Sequence, residues 1–403
     1  MKGAIQMSNL ENYMKRQAIF CEQNDSISKN LYSEYGVKRG LRDEKGQGVL
    51  TGLTNISDIK AFEYHDGVKS PCDGELSYRG YNIKDLVTGS KGKRFVFEEG
   101  AYLLLFGELP TDTQLMEFQG RLSDCMELPT NFTRDVIMKA PTSDIMGSMT
   151  RSILTLGSYD KEKESLGIPN VLRQSMQLIA VFPMLAVYAY HAYCHYEKNE
   201  SMYIHRPEKD LSIAENFLRL LRPDTKFTEL EARVLDIALL LHMEHGGGNN
   251  STFTTRVVTS SGSDTYSVIS AAMSSLKGKK HGGANLMVMN MMDDIKSHVK
   301  DYEDEEEIAS YLSKILKKEA FDQKGLIYGM GHAVYSISDP RERVFKGFVE
   351  QLARDKGREK DMTLYNNIEK IAPKLIAKQR QIFKGVSPNI DFYSGFVYDM
   401  LNI

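Results

Sequence analysis

A mainly α-helical chain with more than one domain is what this sequence predicts, and three observations carry that reading. Apolar residues recur at helical spacing over much of the chain, strand signals are few, and 403 residues exceed what one small core organises. The helical pattern is plainest at residues 307–318, where Ile308, Tyr311, Leu312 and Ile315 follow at steps of three and four. Glu305, Glu306 and Glu307 crowd its start and Lys317 and Lys318 its end, as the helix dipole favours. This acidic cluster therefore reads as a solvated helix terminus and not as a metal site. Residues 99–106 and 229–243 carry similar patterns.

Residues 178–193 are the most apolar stretch. It is shorter than the roughly 20 residues a membrane helix needs, Pro183 and His191 interrupt it, and it reads as a buried core helix. The best strand signal is short and glycine-bounded, and predicts a small β-hairpin near residues 74–82. No internal repeat or low-complexity tract is present, and residues 89–94 read as a short basic loop.

The balance of 51 basic against 54 acidic residues, a net charge of −3, argues against a dedicated nucleic-acid or anionic-membrane binder. The four cysteines are scattered with no CxxC pair, which points away from a disulfide framework or zinc site and towards a reducing compartment. The first residues lack the apolar run of a secretory signal, and the cytoplasm is the expected location.

Gly-rich breaks concentrate between positions 245 and 332, and each lies beside a histidine: His245 before Gly246 to Gly248, His281 before Gly282 and Gly283, and His332 after Gly329 and Gly331. Histidine exchanges protons near neutral pH, and glycine lets the backbone approach a ligand closely. Asp391 stands at a further helix start, and Arg341, nine residues after His332, offers a fork for a carboxylate. These residues suggest an anionic small-molecule substrate and proton-transfer chemistry without naming the reaction. Metal is a poor reading of HMEH (242–245), since His242 and His245 lack a third ligand in sequence. HGGGNN (245–250) lacks the GK[ST] of a phosphate loop. His191 and His195 read as packed or surface residues, His65, His205 and His298 have no identifiable partner, and the methionines of residues 287–292 read as core filler.

At these same residues the sequence resembles the citrate synthase family. ELSYRGYNIKDL (75–86), AYLLLFGELPT (101–111), HMEHGGGNNSTF (242–253), LKGKKHGGAN (276–285), GMGHAVYSISDPR (329–341) and NIDFYSG (389–395) are similar to the family's blocks and occur in its order. The resemblance implies a two-domain helical fold with a large domain at 1–280, a small one at 281–395 and a C-terminal segment, 396–403, returning to the large domain. It implies condensation of acetyl-CoA with oxaloacetate and water to citrate and CoA, with propionyl-CoA and 2-methylcitrate as the alternative. One extra methyl group is worth only about 10-fold in selectivity, so the motifs do not separate the two. His281 would steady the enol, Asp391 would remove the methyl proton and His332 would protonate the oxo acid. His245 and Arg341 would hold the oxo acid, and the backbone of Leu326, Gly329, Met330 and Gly331 would cradle the adenine of CoA. No cofactor and no metal are implied, and a homodimer is. Ala333 and Ser336 stand where basic residues occur in many members, and the family carries two further arginines beyond the NIDFYSG block, whereas this chain stops twelve residues after Asp391. A truncated form of an active enzyme is the expectation, and a weakly active or inactive CoA-binding homologue the alternative.

Overall fold

The computed structural model describes residues 2–38, 40–43, 51–88, 95–279, 281–381 and 385–403, with side chains from residue 9 onward. The basic loop at 89–94 lies outside the described residues, as does Lys280. Packing divides the chain into two compact units, Met1–Thr51 and Gly52–Ile403. The first holds α1 (Lys2–Gln23) and α2 (Asn30–Glu34).

The second unit opens with a three-stranded antiparallel sheet: β1 (Ser57–His65), β2 (Val68–Tyr78) and β3 (Tyr81–Asn82), in that order. His65 pairs with Val68 and Tyr78 with Tyr81, so both connections are two-residue turns. Asp66 and Gly67 have φ of 51° and 78°, Arg79 and Gly80 of 50° and 89°. Positive φ at both central residues is the type I′ geometry that matches strand twist. The expected hairpin at 74–82 is thus the second half of a larger sheet. The missed signal was Asp66-Gly67, a strong hairpin dipeptide.

Helices make up most of the rest: α3 (Ile83–Thr88), α4 (Phe97–Phe106), α5 (Asp112–Asp124), a π turn (Thr133–Ile137), α6 (Ile145–Tyr159), α7 (Ile168–Lys198), α8 (Ile213–Leu221), α9 (Glu229–Leu241), α10 (Asn250–Ser260), α11 (Thr265–Leu276), α12 (Ala284–His298), α13 (Glu305–Leu316), α14 (Pro340–Asp355), α15 (Glu359–Arg380) and α16 (Asp391–Met400). Local chemistry sets many of their starts. Thr111, Ser212 and Thr228 form capping boxes with Gln114, Glu215 and Glu231. Asp304 caps α13 through the amides of Glu306 and Glu307, so the acidic run is a helix start as expected.

The stretch expected to be a short core helix lies within α7, which has 31 residues and continues through Pro183. By length and composition α7 is sufficient to cross a membrane, so its length gives no argument against a span. In this fold it is a core helix, with Leu178, Val181, Leu185 and Tyr188 buried in a cluster with Ile153 of α6 and Tyr266 of α11. The largest core joins Leu76 and Tyr78 of β2 and Leu240 of α9 to Val288 of α12, Phe345 of α14, Tyr365 of α15 and Phe396 of α16. The boundary read near residue 280 falls inside the second unit, where this one core draws on both sides.

Candidate active site

The site begins where α9 ends. Tyr78 of β2 donates its hydroxyl to Leu240 O at 2.9 Å, pinning the last turn to the sheet. His242 follows, its Nδ1 at 2.7 Å from Ala238 O. A carbonyl only accepts, so Nδ1 carries the proton and Nε2 is left as the open position of the neutral ring. The residue as a whole is exposed, yet the protein packed around its ring lowers its pKa, with Asp391 pulling the other way. Gly246, at φ 79°, turns the chain after His245. His245 Nε2 lies 3.0 Å from Tyr335 Oη. Glu244 of the HMEH run accepts from Ser57 Oγ and Gly246 N, a structural engagement. Among the described residues no three His, Cys, Asp or Glu side chains gather as a metal ion would require.

His332 packs against His245 and Tyr335, with ring centroids 5.1 and 4.8 Å apart. The amides of Val334 and Tyr335 both point at His332 Nδ1, at 3.0 and 3.3 Å. Backbone amides only donate, so Nδ1 is the acceptor and Nε2 carries the proton. Burial lowers this imidazole to about 4 against the opposing charge of Asp339, and lowers His245 to about 3 with help from Arg341 and His332. Both rings are neutral at pH 7.

Asp339 organises the other wall. It is fully buried and caps α14 by accepting from Arg341 N at 3.0 Å. Its carboxylate also takes Arg341 Nε at 3.1 Å and Nη2 at 2.9 Å, a bidentate pair. The same Oδ2 accepts from Ile390 N at 3.1 Å, immediately before Asp391. The two motif loops are stitched further: Gly331 N to Ser387 O at 2.8 Å, Asn389 N to Gly329 O at 2.9 Å and Asn389 Nδ2 to Gly331 O at 2.7 Å. Gly329 is required here. Its φ is 83°, and a Cβ would stand 3.0 Å from Phe392 at the first turn of α16. Leu326, at the head of this loop, is 41% exposed, while Met330 bridges to Pro388.

Asp391 opens α16. Burial raises its pKa, against the pull of His242 and Arg341, which makes it a stronger base than a solvated carboxylate. His281 sits differently. Its Nε2 meets Ser251 of α10, with Ser251 N at 3.3 Å and Oγ at 3.0 Å. The fixed amide donor places the lone pair on Nε2 and the ring proton on Nδ1. Burial lowers its pKa. The fold therefore gathers His245, His332, Arg341 and Asp391 into one electrostatic network and leaves His281 outside it. His242, Ser251, Tyr335, Asp339 and Asn389 join the expected residues. Each stands inside a quoted motif, and that proximity was the only signal for them. Chemically, the site offers a neutral imidazole donor, a basic carboxylate and a fixed guanidinium.

The sequence pattern described as citrate synthase, C-terminal domain, matches residues 43–403. This chain belongs to the citrate synthase family. Within the family it is 33% identical to a citrate synthase of Synechocystis sp. over 87% of this chain and 80% of that protein. It is 32% identical to a 2-methylcitrate synthase of Shewanella oneidensis, over 81% and 78%. The citrate synthase of Pyrobaculum aerophilum superposes with a TM-score of 0.71 at 28% identity, covering 90% of this chain and 84% of that one. The fold is also that of the Thermoplasma acidophilum citrate synthase solved with carboxymethyl coenzyme A and oxaloacetate: TM-score 0.72, 24% identity, coverage 90% and 86%.

Proposed function

We propose that this chain condenses acetyl-CoA with oxaloacetate and water to give citrate and CoA. The observation that carries the reading is the pair of stitched loops that sets His332, Arg341 and Asp391 on one network. Asp391 takes the α-proton of the acetyl methyl group. His281 donates Nδ1–H to the thioester oxygen, where charge develops and a placed donor has its largest effect. The enol carbon attacks the oxaloacetate ketone, His332 supplies its Nε2–H to that oxygen, and water then cleaves the thioester. Arg341 and His245 hold the oxaloacetate carboxylates, Arg341 with the edge that Asp339 leaves open. The exposed Leu326 and the loop through Gly329, Met330 and Gly331 receive the adenine of CoA. The division near residue 280 belongs to this reading: movement of 281–395 against the large domain carries His281 and Asp391 together towards the oxaloacetate held by His245.

A homodimer forms through α6, α10 and α11. Support comes from α10, which buries no residue, and from exposed Phe253, Val257, Leu154 and Leu276 on the three helices. Sedimentation at micromolar concentration checks it: a monomer removes the dimer. The four cysteines are all free, which supports a cytoplasmic location. The likeness to a 2-methylcitrate synthase supports propionyl-CoA as the alternative acyl donor. Relative kcat/KM for acetyl-CoA and propionyl-CoA, each with oxaloacetate, decides between them. Turnover of neither removes the reading.

A further inference from the structure

Three helices meet behind the site at two acidic side chains. Glu342 follows Arg341 on α14 and is 3% exposed. Glu369 of α15 faces it. Tyr393, two residues after Asp391 on α16, donates its hydroxyl to Glu369 Oε2, and Lys346 of α14 reaches the same oxygen at 2.8 Å. Glu342 Oε1 is buried without a hydrogen-bond partner.

A carboxylate only accepts, so two carboxyl groups bond to each other only when one carries a proton. The charges around the pair agree. Among the described residues Lys346 is the cation that offsets Glu342, against Glu369 from α15 and Asp339 at the head of α14. From α16 the facing group is the Tyr393 hydroxyl, which Glu350 of α14 also opposes in ionising. Burial, with Glu369 beside it, pushes Glu342 up to about 9. Two bare carboxylates against one ammonium leave an uncompensated buried charge.

We infer that Glu342 carries a proton directed at Glu369, and that this pair, gripped by Tyr393, is a positioning device that sets the first turn of α16, and so Asp391, relative to Arg341. The inference rests on the condensation reading for its effect on rate. Arg341 and Asp391 are one and two residues from members of the cluster, on two of the three helices it joins. Loss of the proton sets like charges together where α14, α15 and α16 meet, and pushes those helices apart. A glutamine at 342 keeps an N–H donor towards Glu369 and has no proton to lose.

The test compares the full-length wild type with Glu342→Gln. The infrared difference spectrum at pH 7 is expected to show a protonated carboxylic acid in the wild type that the variant lacks. Citrate formation at pH 7 is expected to stay within about twofold. The wild-type kcat is expected to fall as pH rises through about 9, and in Glu342→Gln that fall is expected to be absent. A role in stability alone leaves the kcat profile unmoved. An acid band that persists in the variant overturns the proton on Glu342. An unchanged alkaline fall, or a loss beyond about tenfold at pH 7, overturns the positioning role. A wild type that forms no citrate removes the reaction and the positioning role together, while the infrared comparison still decides the proton.

Discussion

His332 receives two backbone amides, lies against His245 and Tyr335, and shares its wall with the buried Asp339–Arg341 pair. Among the described residues the His281 ring meets Ser251, on a helix that buries none of its own residues. The first region is built by the same hydrogen bonds that join the loop at 329–332 to the one at 387–391, so its geometry is a consequence of folding. The second is set by one side chain and one amide. Loss of a hydrogen-bonding group that builds the first region should therefore appear in stability as well as turnover, and damage to the second in turnover alone.

The largest effect tests whether the built region exists for chemistry. Asp391→Ala should lower kcat by about 10²–10⁴ with little change in melting temperature, since the Asp391 carboxylate itself makes no hydrogen bond among the described residues. A loss of melting temperature with turnover intact would make Asp391 a helix-start residue only. Next is Asp339→Ala, which strands a buried guanidinium and frees Ile390 N. It should cost about 3–5 kcal/mol in denaturant unfolding and raise the KM for oxaloacetate. Unchanged unfolding would break the claim that this pair builds the wall.

The pH dependence of stability comes third. His332 is held at about 4 and His245 at about 3, below the ordinary 6.5. The unfolded chain therefore binds more protons between those values, and the contribution is fully present above pH 6.5. It is lost as pH falls from 6.5 through 4 and 3, on the order of 2–4 kcal/mol for the pair after allowing for partial exposure. In a His245→Gln, His332→Gln variant, unfolding midpoints measured from pH 7 to 4 should fall less steeply than in the wild type. Equal slopes would contradict neutral, desolvated rings. Gly329→Ala follows, at about 1–3 kcal/mol, because its φ of 83° and the approach to Phe392 oppose a Cβ. Calorimetry reads it, and a neutral result would mean the two loops separate freely. The smallest is Ser251→Ala. It removes one hydrogen bond to His281 and leaves the amide, so kcat should fall by up to about tenfold, the equivalent of roughly 0.5–1.5 kcal/mol, with melting unchanged. A larger loss would show that His281 depends on Ser251 alone.

The legible part of this protein is local. Helix starts follow from capping side chains within three residues, so the acidic start of α13 was readable from its own sequence. The glycines beside His245, His281 and His332 marked the breaks where backbone turns toward a site. Two local signals were misjudged. Asp66-Gly67 already encoded the first hairpin, because only residues tolerant of positive φ serve a two-residue turn. Pro183 looked like an interruption, yet α7 runs through it, with tertiary burial offsetting the lost backbone hydrogen bond.

By itself, then, the sequence determined the helical class, the chain positions of the proton-transfer residues and their family, because periodicity, caps and motif order are properties of neighbours. Only the tertiary structure decided which groups act together. That Asp339 answers both Arg341 and Ile390, that Tyr335 meets His245 across ninety residues, and that Glu342 lies against Glu369 depend on how helices pack. The same packing removes water from these groups. A side chain's proton affinity is set by that lost solvation and by charges brought from distant parts of the chain, and neither is written in the residues on either side of it.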